Sequence, residues 1–100
     1  MSGTLACIIA SFKNRQTEQF WISGKATKLP ANLRRVAMRK LKILNDAQVL
    51  EDLRTPPGNR LEALKADRAG AHSVRINDQF RVCFLWKEGK AYDVEIVDYH

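Results

Sequence analysis

The apolar positions of this 100-residue chain change rhythm near Gly58. Between an initial apolar run and that glycine they follow helical spacing, and after it they alternate. The run LACIIASF (residues 5–12) is apolar and β-branched enough to predict a first strand. Residues 14–17 break that pattern. Thr17 is read as the N-cap of a short helix carrying Glu18, Phe20, Trp21 and Ile22, which Gly24 ends. Pro30 suits the first turn of a second helix, expected over residues 30–47. There Leu33, Val36, Ala37, Leu41, Leu44 and Gln48 keep the i, i+3, i+4 rhythm of a core-facing stripe, while Arg34, Arg35, Arg39 and Lys42 fall mainly on other faces. Residues 49–53 are read as one further turn. Thr55-Pro56-Pro57-Gly58 is then expected to exclude regular structure, because the prolines lack donors and glycine permits a turn.

Past Gly58 the period is two. RLEAL (60–64) alternates polar and apolar, and HSVRIN (72–77) puts Val74 and Ile76 on one face with Arg75 on the other. Asn77-Asp78 reads as a tight turn. FRVCFLW (80–86) sets Phe80, Val82, Phe84 and Trp86 against Arg81, Cys83 and Leu85; Glu88-Gly89 reads as a second turn; AYDVEIV (91–97) turns Val94 and Ile96 inward. Such short connections imply an antiparallel meander, which the first strand is expected to join. The predicted class is α+β: two N-terminal helices packed on one twisted, mainly antiparallel sheet.

Length implies a single domain over residues 1–100, with residues 1–7 a loose extension. An apolar fraction of 45% and a charged fraction of 28% are those of an ordinary globule. No apolar run approaches the ~20 residues a membrane span needs, and the start lacks a basic signal region, so a cytoplasmic protein without a membrane partner is expected. Cys7 and Cys83 fall in apolar, strand-like runs and are read as small buried hydrophobes. Neither a CxxC nor Cys/His zinc spacing occurs, so no metal or cofactor is expected. The net charge of +6 is unevenly placed: residues 25–42 hold Lys25, Lys28, Arg34, Arg35, Arg39, Lys40 and Lys42 without one acid. That implies a polyanionic partner, most often nucleic acid. An acidic protein or a merely solvated basic helix face also fits.

The candidate chemistry lies at the end of the chain. Alternation makes Asp98 and His100 continue the face of Val94 and Ile96, with Tyr99 on the other side. A polar pair prolonging an apolar face must leave the core at the sheet rim, bringing a carboxylate, a phenol and an imidazole together; histidine moves protons near neutral pH. The competing reading is a polar tail that happens to contain a histidine. Lys65 and Arg68 lie in the loop after RLEAL, and Arg75 and Arg81 project opposite the apolar face, where together they would cradle a phosphate. Metal-free RNA cleavage needs these parts: a base for the ribose 2′-hydroxyl, cations for the phosphate and an acid for the departing 5′-oxygen. His72 is read as structural or base-contacting. No P-loop, GxGxxG, HExxH or GxSxG occurs.

The stretches PPGNRLEALKADRAGAHSVRINDQFRVCF and YDVEIVDYH closely resemble HigB toxins of the RelE/ParE superfamily, the toxin halves of bacterial type II (plasmid maintenance) toxin–antitoxin modules. The resemblance is strong from residue 11 to 100. It implies a RelE/ParE-like fold and an endoribonuclease that cuts mRNA in the ribosomal A site without metal. The implied partner is HigA, a helix-turn-helix antitoxin. Carried onto this sequence, the catalytic positions are Asp98, Tyr99, His100, Lys65 and Arg81, and the RNA-binding positions are Arg68, Arg75, Arg60 and Glu62. Glu62 stands where some relatives have histidine, and Ala66 replaces the glycine of the Leu-Lys-Gly-Asp-Arg segment. The alternative is a ParE-like toxin that inhibits DNA gyrase by binding, which would not need the terminal proton-transfer cluster. A basic ribosome-binding module without chemistry is a third reading.

Overall fold

The computed structural model describes residues 8–25, 29–55, 57–64 and 70–98. The expected loose extension over residues 1–7, with Cys7, lies outside them. Two helices, α1 (Arg15–Ser23) and α2 (Ala31–Asp46), precede four strands, β1 (Glu62–Ala63), β2 (Ala71–Arg75), β3 (Phe80–Lys87) and β4 (Lys90–Asp98), paired antiparallel in the order β1-β2-β3-β4. This is the expected α+β architecture. Among the described residues no helix is long and apolar enough to cross a membrane.

The cap of α1 is Asn14, not Thr17. The Asn14 side chain accepts the Thr17 N–H at 2.8 Å, and Gly24 closes the helix with φ 76°, its N–H reaching the Phe20 carbonyl at 2.7 Å. Either residue type caps well, but the polar pair Arg15-Gln16 hides the true first turn from an apolar-pattern reading. Thr17 is instead buried within that turn, where its Oγ1 accepts the Ile96 N–H at 3.2 Å and ties α1 to β4.

Helix α2 starts after Pro30, as its restricted φ allows, and buries Ala37, Lys40, Leu41 and Leu44. Gln48 does not extend the stripe: the helix stops at Asp46, and Gln48 is exposed, donating its N–H to Asp52 Oδ2 at 2.9 Å. That bond opens a 3₁₀ turn over Leu50–Arg54, the form taken by the expected extra turn. A second 3₁₀ turn, Pro57–Asn59, corrects the expectation of no regular structure there; proline at the first position of a turn loses no bond.

Phe80, Val82 and Phe84 of β3 face the helices with Val74 and Val94, and pack with Phe20, Leu41, Leu44 and Leu53. Glu88 (φ 54°) and Gly89 (φ 78°) make the two-residue β3–β4 turn, both in the left-handed conformation that suits the twist of a hairpin. Strand β1 is shorter than the RLEAL alternation suggests, two residues only. The first strand does join the sheet, as bridges rather than a full strand. Ile9 and Phe12 lie parallel to Ala91 and Val94 on the outer side of β4. Four backbone bonds hold them, including Ala10 N–H to Ala91 O at 2.7 Å and Val94 N–H to Ser11 O at 3.1 Å.

Strand β4 bulges between these bridges. Cys83 pairs with Glu95 and Leu85 with Tyr92, so Asp93 and Val94 together oppose Phe84. The extra residue shifts the alternation by one, which lets Ala91 and Val94, three apart, both be fully buried. Asp93 takes the left-handed conformation, φ 52°, with its N–H on Ser11 Oγ at 2.9 Å. Short polar residues tolerate this conformation and β-branched ones do not. Asp93→Val is expected to lower unfolding free energy by about 1–2 kcal/mol. Asp93→Gly should not, and urea denaturation of the two variants checks the difference.

Candidate functional site

The sheet face turned away from the helices carries the cationic centre. Register places Glu62, Ser73, Cys83 and Glu95 in one row across the sheet, and Arg75, Arg81 and Val97 in the next. Arg75 and Arg81 therefore share this face, as alternation predicts. Arg81 is not a solvent-facing charge, however: only 9% of it is exposed. Its Nε donates to Ser73 Oγ at 2.7 Å, and its Nη2 donates to the Arg60 carbonyl at 2.7 Å and lies 3.6 Å from Glu62 Oε1. Arg60 offers that carbonyl from a left-handed backbone, φ 44°, and its own side chain is at the surface. Glu62 thus joins the site as a neighbour of Arg81. Arg75, half-buried, pairs with Asp78. On the far side of the sheet edge Lys13 and Glu95 form an ion pair at 3.6 Å.

Asp98 sits opposite Phe80 in register, so its side chain lies on the helix-side face, continuing Val94 and Ile96 as expected. It is exposed and accepts from Gln79 Nε2 at 3.2 Å. It borders a groove of about 660 Å³ floored by Phe20, Leu29, Phe80 and Ile96, with Arg15 and Lys25 on its rim. Asp98 and Arg81 therefore lie at the same end of the β3–β4 pair with their side chains on opposite faces of the sheet. Lys65, Arg68, Tyr99 and His100 lie outside the described residues.

His72 packs within the fold. Its ring stacks on Phe84 with centroids 6.2 Å apart, and its Nδ1 lies 3.1 Å from the Gly70 carbonyl, a contact that requires the proton on Nδ1. Cys83 is buried, as expected.

Three residues that hold this centre escape a sequence reading for chemistry. Ser73 is fully buried beneath Arg81. Asn59, also fully buried, accepts from the Lys40 ammonium and donates its amide to the Leu53 carbonyl at 3.0 Å and the Thr55 carbonyl at 3.3 Å. Lys40 is only 9% exposed; burial holds its pKa below the ordinary 10.5, with Arg39 and Arg75 adding to the effect. Spacing alone could have placed Lys40 inside, since it adjoins Leu41 in the stripe between Ala37 and Leu44. For Ser73 and Asn59 no comparable signal exists.

Two helices on an antiparallel sheet, with an arginine built into its outer face, are an α+β arrangement consistent with a RelE-like fold. A family model described as RelE-like toxin of type II toxin-antitoxin system HigB matches residues 10–100. Toxin HigB-1 of Vibrio cholerae serotype O1 is 43% identical over 81 residues, covering 80% of this chain and 85% of that protein. An uncharacterized protein of Haemophilus influenzae is 34% identical over 80 residues, 79% of each chain. The chain belongs to the HigB family of type II toxins, a class that has an antitoxin as partner. These matches do not support the ParE-like, gyrase-binding alternative.

Proposed function

We propose that this chain, acting as one cytoplasmic domain, is a ribosome-dependent mRNA endonuclease neutralised by a HigA-type helix-turn-helix antitoxin. In this reading Arg81, with Lys65, stabilises the phosphate as negative charge builds on it, and Arg60, Arg68, Arg75 and Glu62 border the RNA path. Asp98, Tyr99 and His100 share the proton transfers: one group takes the proton of the ribose 2′-hydroxyl, and another returns a proton to the departing 5′-oxygen. The observation that carries the reading, beside family membership, is Arg81. An arginine only 9% exposed and held by a serine, a backbone carbonyl and a carboxylate is a preorganised cation, of the kind that stabilises developing negative charge.

A second feature supports a role for the chain end. β4 is bonded on both sides, to β3 up to the Phe80–Asp98 pair and to residues 8–13 along its outer edge. Asp98 is thus held at a fixed point on β4, and side chains carried by a fixed strand can be held in the geometry that chemistry needs. The test is inducible expression of the wild type and His100→Ala with mRNA 5′ ends mapped. The wild type should arrest growth and generate new 5′ ends within translated messages, and His100→Ala should lose both. A growth arrest that survives the substitution, with messages intact, would overturn the proposal.

A further inference from the structure

The buried arginine raises a question its own charge does not answer: what sets the direction in which the guanidinium plane points? Arginine has four rotatable side-chain torsions, and an unconstrained one samples many directions. Here the Nε–Nη2 edge is gripped from two strands' worth of backbone. Ser73 on β2 presents its hydroxyl to Nε at 2.7 Å and its carbonyl to Nη2 at 3.5 Å. The segment entering β1 presents the Arg60 carbonyl to Nη2 at 2.7 Å, from a residue held in the left-handed conformation at φ 44°. The preceding residue, Asn59, fixes this left-handed turn from behind, through its bonds to Lys40, Leu53 and Thr55.

We infer that Ser73 and the left-handed turn at Arg60 form a positioning cradle, which fixes the plane of the Arg81 guanidinium and aims it at the phosphate of the scissile RNA link. The inference rests on the nuclease reading above and assigns residues that act through Arg81 rather than on the RNA. Two features argue that the cradle orients and does more than satisfy polar groups. A serine that merely needed a partner in a sheet could bond a neighbouring carbonyl, yet this one is spent on the one guanidinium nitrogen whose direction defines the plane. A non-glycine residue in the left-handed region is strained, and strain of that kind persists where surrounding structure requires it. Both features meet at the same guanidinium edge.

The experiment uses the full-length toxin with mRNA-programmed ribosomes in single-turnover and steady-state cleavage. It is paired with thermal unfolding and with the ¹⁵N relaxation of the Arg81 Nε–H group in the free protein. Ser73→Ala is expected to lower kcat by about 10- to 100-fold while KM changes by less than about twofold, the pattern of a misaimed group rather than lost RNA affinity. The Nε–H signal should become mobile, and Ser73→Thr, which keeps the hydroxyl, should recover both the rate and the rigidity. Wild-type kcat with a rigid Nε–H in Ser73→Ala overturns the cradle. So does a rate loss in Ser73→Ala and Ser73→Thr alike that follows their melting temperatures, because that is what a purely structural serine would give. A wild-type toxin that leaves ribosome-bound mRNA intact overturns the nuclease reading instead, and the relaxation measurement still decides whether Ser73 orders Arg81.

Discussion

Replacing Arg81 by methionine is expected to reduce mRNA cleavage by about 100- to 1000-fold, the loss that follows removal of one preorganised charge-stabilising donor, equivalent to about 3–4 kcal/mol of transition-state stabilisation. Methionine keeps most of the buried stem, so packing changes less than with alanine. Some stability will still go, about 1–3 kcal/mol, because Ser73 Oγ and the Arg60 carbonyl lose the donor they accept from inside the sheet face. Arg81→Lys separates the two effects. It retains a positive charge near the same place but has neither the Nε donor nor the planar fork, so it cannot grip Ser73 and Arg60 together. Cleavage should therefore fall nearly as far in Arg81→Lys as in Arg81→Met. A lysine variant with wild-type cleavage would show that charge alone suffices and that the geometry of the buried fork is irrelevant. Single-turnover cleavage on programmed ribosomes, read beside thermal unfolding of each variant, makes the comparison.

The parts of this fold that were legible in the sequence are those set by repeated, local signals. The stripe of α2, the alternation of β3 and the Glu88-Gly89 turn each recur over several residues or use a turn-specific pair, and each is where the pattern puts it. Even Asp98 follows, because alternation along β4 carries Val94 and Ile96 forward to it. What was illegible depends on contacts between distant segments. Arg81 looked like a solvent-facing cation, since its face alternates away from the apolar one. Its burial comes from Ser73 on the neighbouring strand and from the carbonyl of Arg60, 21 residues earlier. The bulge at Asp93 likewise goes with a contact from a distant segment, the Asp93 N–H donating to Ser11 Oγ, 82 residues earlier. Thr17 was misread as a cap because capping and burial against a strand use the same hydroxyl, and only the position of Ile96 decides between them. The site was legible as a set of residue types and much less so as an arrangement, with Asp98 and Arg81 on opposite faces of one strand pair.

Asn59→Ala is expected to be the most destabilising single polar substitution, at about 3 kcal/mol. The amide accepts from the Lys40 ammonium and serves two backbone carbonyls, all in surroundings where Asn59 itself is fully buried. Its removal leaves a buried cation without that acceptor, which costs more than the bond was worth in place. In a 100-residue domain with a margin of about 5–15 kcal/mol, such a loss is large. Removing both partners at once should cost less than the two single losses combined. Lys40→Met/Asn59→Leu is thus expected to show a coupling of about 1.5–3 kcal/mol in a double-mutant cycle, with incomplete recovery because the Leu53 and Thr55 carbonyls still lose their donor. The same lysine gives the protein a pH signature. Its folded pKa is lowered below 10.5, so between the lowered value and 10.5 the unfolded chain binds a proton that the folded one has released. Lys40 opposes folding fully below that window, and its opposition fades as pH rises through it. Urea midpoints measured at rising alkaline pH should therefore climb for the wild type relative to Lys40→Met, on a common background of other titrating groups. Parallel pH profiles for the two proteins would mean that Lys40 is charged and well solvated in the folded state, and the large loss expected for Asn59→Ala would then disappear with it.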